Sequence, residues 1–116
     1  MYLLKINKIE VPKKEIIKIE IEGEVDVYTS IELKRELNEI IDNGTKKIII
    51  NLDKVTYIDS SGLGVLVAIL KRIRKEKGNL KLLKLTQNVK KIFEITRLTK
   101  FFEIFEDEEK VLKSFN

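Results

Sequence analysis

The sequence predicts an α/β fold, with a mixed and mostly parallel sheet of four to five strands and about four helices. Strand patterns alternate with amphipathic helix patterns along the 116 residues, which is typical of parallel strands joined by helical crossovers. The segment Ile48 to Leu52 is almost entirely apolar, as in a central strand that is covered on both faces. The length suits one domain, and we expect residues 1–116 to form it.

The first two strands are predicted at residues 2–9 and 14–22, as an antiparallel hairpin. Isoleucines alternate with charged residues in the second strand, and this period of two indicates a strand that is buried on one side. The segment between the strands contains Pro12, which favours a turn. We expect residues 23–26 to close the second strand.

A helix is predicted from Thr29 or Ser30 to Asn43. Thr29 is expected to cap it, with Glu32 three residues later completing a capping box. Gly44 then provides a left-handed stop. The apolar residues of this helix recur at helical spacing and predict one buried stripe: Leu33, Leu37, Ile40 and Ile41.

The remaining elements continue the alternation. They are a central strand at 47–52, a helix at 63–77, a strand at 80–85, a short helix capped by Thr86, a strand at 101–105 and a helix at 108–115. The short helix is expected to place four residues on one face: Val89, Ile92, Phe93 and Thr96.

Composition excludes several classes of site. The chain has no cysteine and no histidine, which removes disulfides, Ser-His-Asp catalysis and the common zinc motifs. The net charge of +4 comes from mixed acids and bases, so we expect no nucleic-acid partner. No apolar run approaches the roughly 20 residues of a membrane span and no export signal is visible. We therefore expect a cytoplasmic protein without a membrane partner, cofactor or metal.

Three features are predicted at the carboxyl ends of the strands, where sites of open α/β sheets lie: Asp26, the turn Asp59 to Gly62, and Thr86. A serine at the start of the following helix would sit among free backbone N–H groups. Gly62 and Gly64 would allow another protein to approach closely. The same spacing also fits a plain helix cap formed by Asp59 or Ser60, so local pattern leaves both interpretations open.

The segment Tyr57 to Leu66, with its core DSSGLG, resembles the signature of STAS-domain anti-sigma factor antagonists. Residues 22–26, followed by Thr29 and Ser30, resemble the first conserved block of that family. Residues 89–102 resemble its tail, so the likeness covers nearly the whole chain.

The resemblance implies a bacterial partner-switching protein that is not itself an enzyme. Its unphosphorylated form binds an anti-sigma factor, which is also a serine kinase of the histidine-kinase-like ATPase type, and thereby frees a sigma factor. Phosphorylation of Ser61, with Ser60 as runner-up, then releases the complex, and a PP2C-type phosphatase restores the serine. Asp26 and Asp59 match the acidic positions of the family, whereas Tyr28 stands where some members have a small polar residue or histidine. We expect a monomer or weak dimer.

The helix after the motif carries more apolar residues than one stripe needs. One stripe is expected to face the sheet: Leu63, Leu66, Val67, Leu70 and Ile73. The surplus predicts a partner-binding surface with a basic rim, made of Thr29, Ser30, Leu63, Val65, Ala68, Ile69 and Arg72. The alternative is that a neighbouring helix covers these residues.

Other functions remain open at this level. Asp53, just after the predicted central strand, would suit a receiver-type phosphoacceptor, but no acidic pair follows the first strand to hold Mg²⁺. A STAS-type signalling or scaffold module, in a stress-sensing assembly or binding a nucleotide at the glycine turn, is the main alternative.

Overall fold

A computed structural model describes residues 4–115. Within them a mixed sheet and four α-helices alternate, so the predicted α/β architecture is confirmed. The strands are β1 (Lys5–Val11), β2 (Ile16–Val25), β3 (Lys47–Ile58), β4 (Asn79–Leu83) and β5 (Ile104–Phe105). The helices are α1 (Thr29–Asp42), α2 (Ser60–Lys75), α3 (Gln87–Ile95) and α4 (Glu108–Lys113). Residues 2 and 3 of the predicted first strand lie outside the described part of the chain.

The sheet order is β1-β2-β3-β4-β5. β1 runs antiparallel to β2, which confirms the predicted hairpin, and every other neighbouring pair is parallel. The carboxyl ends of β2, β3 and β4 therefore point to the same end of the sheet.

Both faces of β3 are covered, which explains its apolar sequence. Ile48 and Ile50 belong to the main core, together with residues of α1, α2 and α3. Ile49 points to the opposite face and packs with Val111 of α4. Side chains alternate between faces in a strand, so one continuous apolar run serves two separate cores.

Several predicted boundaries are wrong. β3 continues to Ile58 because β2 runs beside it as far as Val25, and pairing holds both strands extended beyond the apolar run. Asp53 consequently lies inside β3 rather than after it. α2 begins earlier than predicted, at Ser60, because a cap at Asp59 starts it there.

The end of the chain is less regular than predicted. A 3₁₀ turn at Leu98–Lys100 and a two-residue β5 replace the strand expected at 101–105. Phe102 packs instead on Phe93, with ring centroids 5.7 Å apart. Thr96 is exposed and bonds back to the Ile92 carbonyl, so it does not join the buried face of α3. Among residues 4–115, no helix has the length and apolar character needed to cross a bilayer.

Candidate functional site

Two strand-to-helix turns meet at the carboxyl end of the sheet. We call residues 26–31 the β2–α1 turn and residues 59–64 the β3–α2 turn, so each name includes the first residues of the following helix. Val25 and Ile58, the last residues of the two strands, are register partners. The Asp59 N–H donates to the Val25 carbonyl at 3.0 Å, which holds the two turns side by side.

Asp59 is the N-cap of α2. Its backbone is extended, and its Oδ1 accepts hydrogen bonds from the N–H groups of Ser61 (2.9 Å) and Gly62 (3.1 Å). These bonds satisfy two of the free donors at the helix start. Ser60 is exposed and Ser61 is half-buried. In the part of the chain that the structure describes, neither serine hydroxyl forms a side-chain hydrogen bond.

Asp26 plays the corresponding part in the β2–α1 turn. Its Oδ1 accepts from the N–H groups of Thr29 and Tyr28, each at 2.9 Å. The bond from Thr29 above all lowers the pKa of Asp26 below its ordinary value, because N–H donors stabilise the carboxylate. Both predicted acidic residues thus lie at the site and orient backbone donors.

The predicted capping box at Thr29 is wrong. Thr29 is the first residue of α1 and follows an N-cap residue, Tyr28, whose side chain makes no capping bond. Its hydroxyl accepts from the Asp26 N–H and donates to the Glu24 carbonyl. Asp26 already accepts from the free N–H groups at the start of the helix. The Thr29 hydroxyl therefore stabilises the turn by bonding to its backbone instead of capping the helix.

The two glycines of the motif differ in role. A Cβ on Gly62 would lie 2.6 Å from side-chain carbons of both Val25 and Ile58, whereas a Cβ on Gly64 would meet nothing within 4 Å. Gly62 is therefore required for packing between the two strand ends. Only Gly64 leaves open space of the kind predicted for an approaching protein.

Thr86 lies near this edge of the sheet, but its hydroxyl is occupied. It donates to the Val55 carbonyl at 2.8 Å and accepts from the Val89 N–H at 3.4 Å. The prediction that Thr86 caps α3 is confirmed. Its main contribution is to fix α3 against β3.

The apolar surface predicted on α2 is not exposed. Leu63, Val65 and Ile69 are buried, because α1 lies beside α2 and covers the surplus apolar residues. The alternative of a covering helix is therefore correct for these side chains, and only Ala68 among the surplus residues is exposed. Thr29 and Ser30 are also buried.

Arg72 does not form a free basic rim. Its guanidinium donates to the backbone carbonyl and side-chain oxygen of Asn38 on α1, and it pairs with Asp42 and Glu76. Arg72 therefore ties α2 to α1, as a bidentate donor can.

The exposed apolar residues lie elsewhere, and the sequence reasoning missed them. Within residues 4–115, four surround the two turns, with exposed fractions in parentheses: Val27 (52%), Tyr28 (80%), Ile31 (70%) and Tyr57 (45%). We call these four side chains the apolar patch. Ile31 lies in α1 but outside its buried stripe of Leu33, Leu37, Ile40 and Ile41, and this position was the available signal.

No three potential metal ligands come together within residues 4–115. The site therefore consists of two capping aspartates, two adjacent serines and an exposed apolar surround.

Residues 8–111 match the model of the STAS domain family. The chain belongs to the STAS domain family. An anti-sigma-B factor antagonist of Staphylococcus aureus is 36% identical to this STAS protein over 91 residues, which are 78% of this chain and 84% of the relative. The protein of the same name from Staphylococcus epidermidis is 31% identical over 91% of this chain and 98% of its own length.

Solved structures share the fold. A putative anti-sigma factor antagonist of Thermotoga maritima superposes with a TM-score of 0.88 at 23% identity, covering 95% of this chain and 93% of its own. The Bacillus cell fate determinant SpoIIAA in its phosphorylated form gives a TM-score of 0.73 at 21% identity, over 97% and 100% of the two chains. At these identities the likeness establishes the STAS fold.

Proposed function

We propose that this STAS protein is an anti-sigma factor antagonist whose partner docks on the apolar patch and phosphorylates Ser61. The observation that carries the proposal is the position of the serine turn, which lies beside four exposed apolar side chains and contains no acid–base machinery of its own. A hydroxyl in such a place is suited to be a substrate for another protein's active site. The names of the staphylococcal relatives support the antagonist role.

The apolar patch supplies the docking contacts in this proposal. Large aromatic side chains at the centre of an interface commonly provide most of its binding energy. Tyr28 is the most exposed apolar residue of the patch and immediately precedes the first residue of α1. We infer that Tyr28 is the anchor, with Val27, Ile31 and Tyr57 around it.

Phosphorylation would oppose docking through charge. Residues 24–31 and 57–66 contain three acids, Glu24, Asp26 and Asp59, and no lysine or arginine. A phosphate would add about two negative charges there without a matched cation on either turn. Covering that dianion with a partner would cost several kcal/mol, or more than a hundredfold in affinity, so release needs no large conformational change.

The choice between the two serines rests on the family resemblance. Ser60 is the more exposed of the two, while Ser61 lies directly before Gly62, at the position that the resemblance marks. Asp59 accepts from the Ser61 N–H, which fixes the backbone of the proposed acceptor. We place the phosphate on Ser61 and keep Ser60 as the competitor.

The remaining parts of the cycle follow from the same resemblance. The partner is proposed to be an anti-sigma factor and serine kinase of the histidine-kinase-like ATPase type, and a PP2C-type phosphatase is proposed to regenerate the serine. A free sigma factor would be the output of binding.

The decisive experiment incubates the protein with its anti-sigma factor and ATP, and maps phosphate by phosphopeptide mass spectrometry. We expect label on Ser61 in the wild type and in Ser60→Ala, and none in Ser61→Ala. Label that survives in Ser61→Ala and disappears in Ser60→Ala would move the site to Ser60. Absence of both label and binding with an active anti-sigma factor would refute the proposed function.

A further inference from the structure

A polar cleft of about 250 Å³ lies away from the two turns, on the face of the sheet opposite α1 and α2. It is bounded by β1, β2 and β3 and by the start of α4. Neighbouring positions on this face carry Lys18, Glu20 and Asn51, whereas the apolar residues Ile19 and Ile50 point into the main core. The cleft is smaller than typical drug-sized ligand sites of roughly 300–1,000 Å³, so it suits a small molecule.

Asn51 is a largely buried residue of the cleft, and its NH₂ group is bonded to no protein atom among the described residues. The residue is 7% exposed, and its Oδ1 accepts from the Asp53 N–H at 3.0 Å. Within residues 4–115 its Nδ2 makes no hydrogen bond, and the side chain lines the cleft. Because no buried side-chain nitrogen or oxygen of residues 4–115 lacks a hydrogen-bond partner, this NH₂ group is open to solvent in the cleft. An acceptor atom of a ligand could bond to it there in place of water.

The charged groups of the cleft are only partly paired. Lys18 contacts Glu20 and Glu108, and Lys54 lies 4.0 Å from Glu22. Among the described residues, Lys84 and Asp53 line the same cleft but form no ion pair. One cation and one carboxylate are therefore left for a ligand that carries both signs of charge.

Lys84 has a backbone conformation that is unfavourable for a residue other than glycine. Lys84 follows the last residue of β4 and has a φ of 55°, in the left-handed region that favours glycine. Its N–H donates to the Phe105 carbonyl at 2.8 Å, which holds the strand end in place. The register between β2 and β3 shifts at Ile21, next to Asp53. A bulge of this kind changes the direction in which neighbouring side chains point.

We propose that this cleft binds a small zwitterion of the amino-acid class. The anionic end of the ligand accepts from the Nδ2 of Asn51 and pairs with Lys84, and the ammonium end pairs with Asp53. The site is separate from the serine turns, so the proposal does not depend on the proposed function.

The test is an NMR titration of the ¹⁵N-labelled protein with the twenty common amino acids, added one at a time. We expect at least one to give a saturable shift of the Asn51 side-chain amide, together with the backbone signals of Asp53 and Lys84. The N-acetyl and the amide derivatives of that amino acid, each lacking one charge, are expected to bind at least about tenfold more weakly.

Two lysine variants provide a matched comparison. Lys84→Gly removes the cation and suits the left-handed backbone, so the fold is retained and binding is expected to weaken about tenfold. Lys13→Gly makes the same change at another left-handed lysine, with φ of 63°, which does not line the cleft. Binding is expected to be unchanged there. The proposal would be overturned if none of the amino acids gave a saturable shift, or if the two variants lost affinity equally.

Discussion

The two turns at the carboxyl end of the sheet are built alike and present different surfaces. In each, an aspartate Oδ1 accepts two backbone N–H groups at the start of a helix. The β2–α1 turn then exposes Val27, Tyr28 and Ile31. The β3–α2 turn exposes small residues instead, Ser60 and Gly64, with Ser61 half-buried.

The difference arises from packing between the turns. Gly62 must be small because Val25 and Ile58 fill the space where its side chain would lie. Tyr28 precedes α1 and is directed away from the core, so its size is unrestricted by the fold. We infer from this comparison that the β2–α1 turn supplies most contacts with the partner. The β3–α2 turn would carry the hydroxyl whose phosphorylation releases that partner.

The largest expected effect concerns the serine. Ser61→Asp places a charge within the proposed interface, and we expect affinity for the anti-sigma factor to fall about a hundredfold, because the charge loses water without gaining a cation. Ser61→Ala is expected to bind like the unphosphorylated wild type and to resist release by ATP. Calorimetric titration of both variants measures the difference. Equal affinities would contradict release by electrostatic repulsion.

The next effect concerns the anchor on the other turn. Tyr28→Ala removes a side chain that is 80% exposed, so folding stability should change little. We expect binding of the anti-sigma factor to weaken by about 2 kcal/mol, or about thirtyfold. Ile95→Ala is the control, since Ile95 is 72% exposed at the end of α3, away from the two turns. If both variants bind like the wild type, Tyr28 is not the anchor.

A smaller effect is expected on the free energy of unfolding, and it differs in sign between the two glycines of the motif. Gly62→Ala is expected to destabilise the fold by about 1–2 kcal/mol, since the new Cβ would overlap Val25 and Ile58. Gly64→Ala lies in open space within α2 and is expected to stabilise the fold by about 0.5–1 kcal/mol. Urea unfolding of the two variants gives both free energies. Similar changes in both would show that the strand ends can move apart.

The smallest effect concerns pH and the β2–α1 turn. The pKa of Asp26 is lowered in the folded state, so its contribution to stability is present above the unfolded value of about 3.8 and is lost as pH falls through the folded value. We expect the stability advantage of the wild type over Asp26→Asn to shrink below about pH 4. Parallel urea titrations between pH 7 and pH 2.5 would measure it, and an advantage that does not change with pH would contradict this role.

Local pattern predicted much of the fold. The alternation of strands and helices, the hairpin and the cap at Thr86 follow from residues that are close in sequence, and all three are confirmed. The strand ends were harder to predict, since Val25 and Ile58 stay extended through pairing with each other rather than through an apolar run.

The sequence by itself determined where the chain turns from a buried strand into an amphipathic helix, because an aspartate followed by two serines and a glycine favours a capped helix start there. The proposed phosphorylation site in that turn stays a prediction. Which side chains surround that site was decided only by tertiary structure. Val65 and Ile69 appear available in the helical pattern of α2, yet α1 covers them, whereas Tyr28 and Ile31 stay exposed. The physical reason is that periodicity reports how many apolar residues a helix carries, while the packing of neighbouring helices selects the ones that lose contact with water.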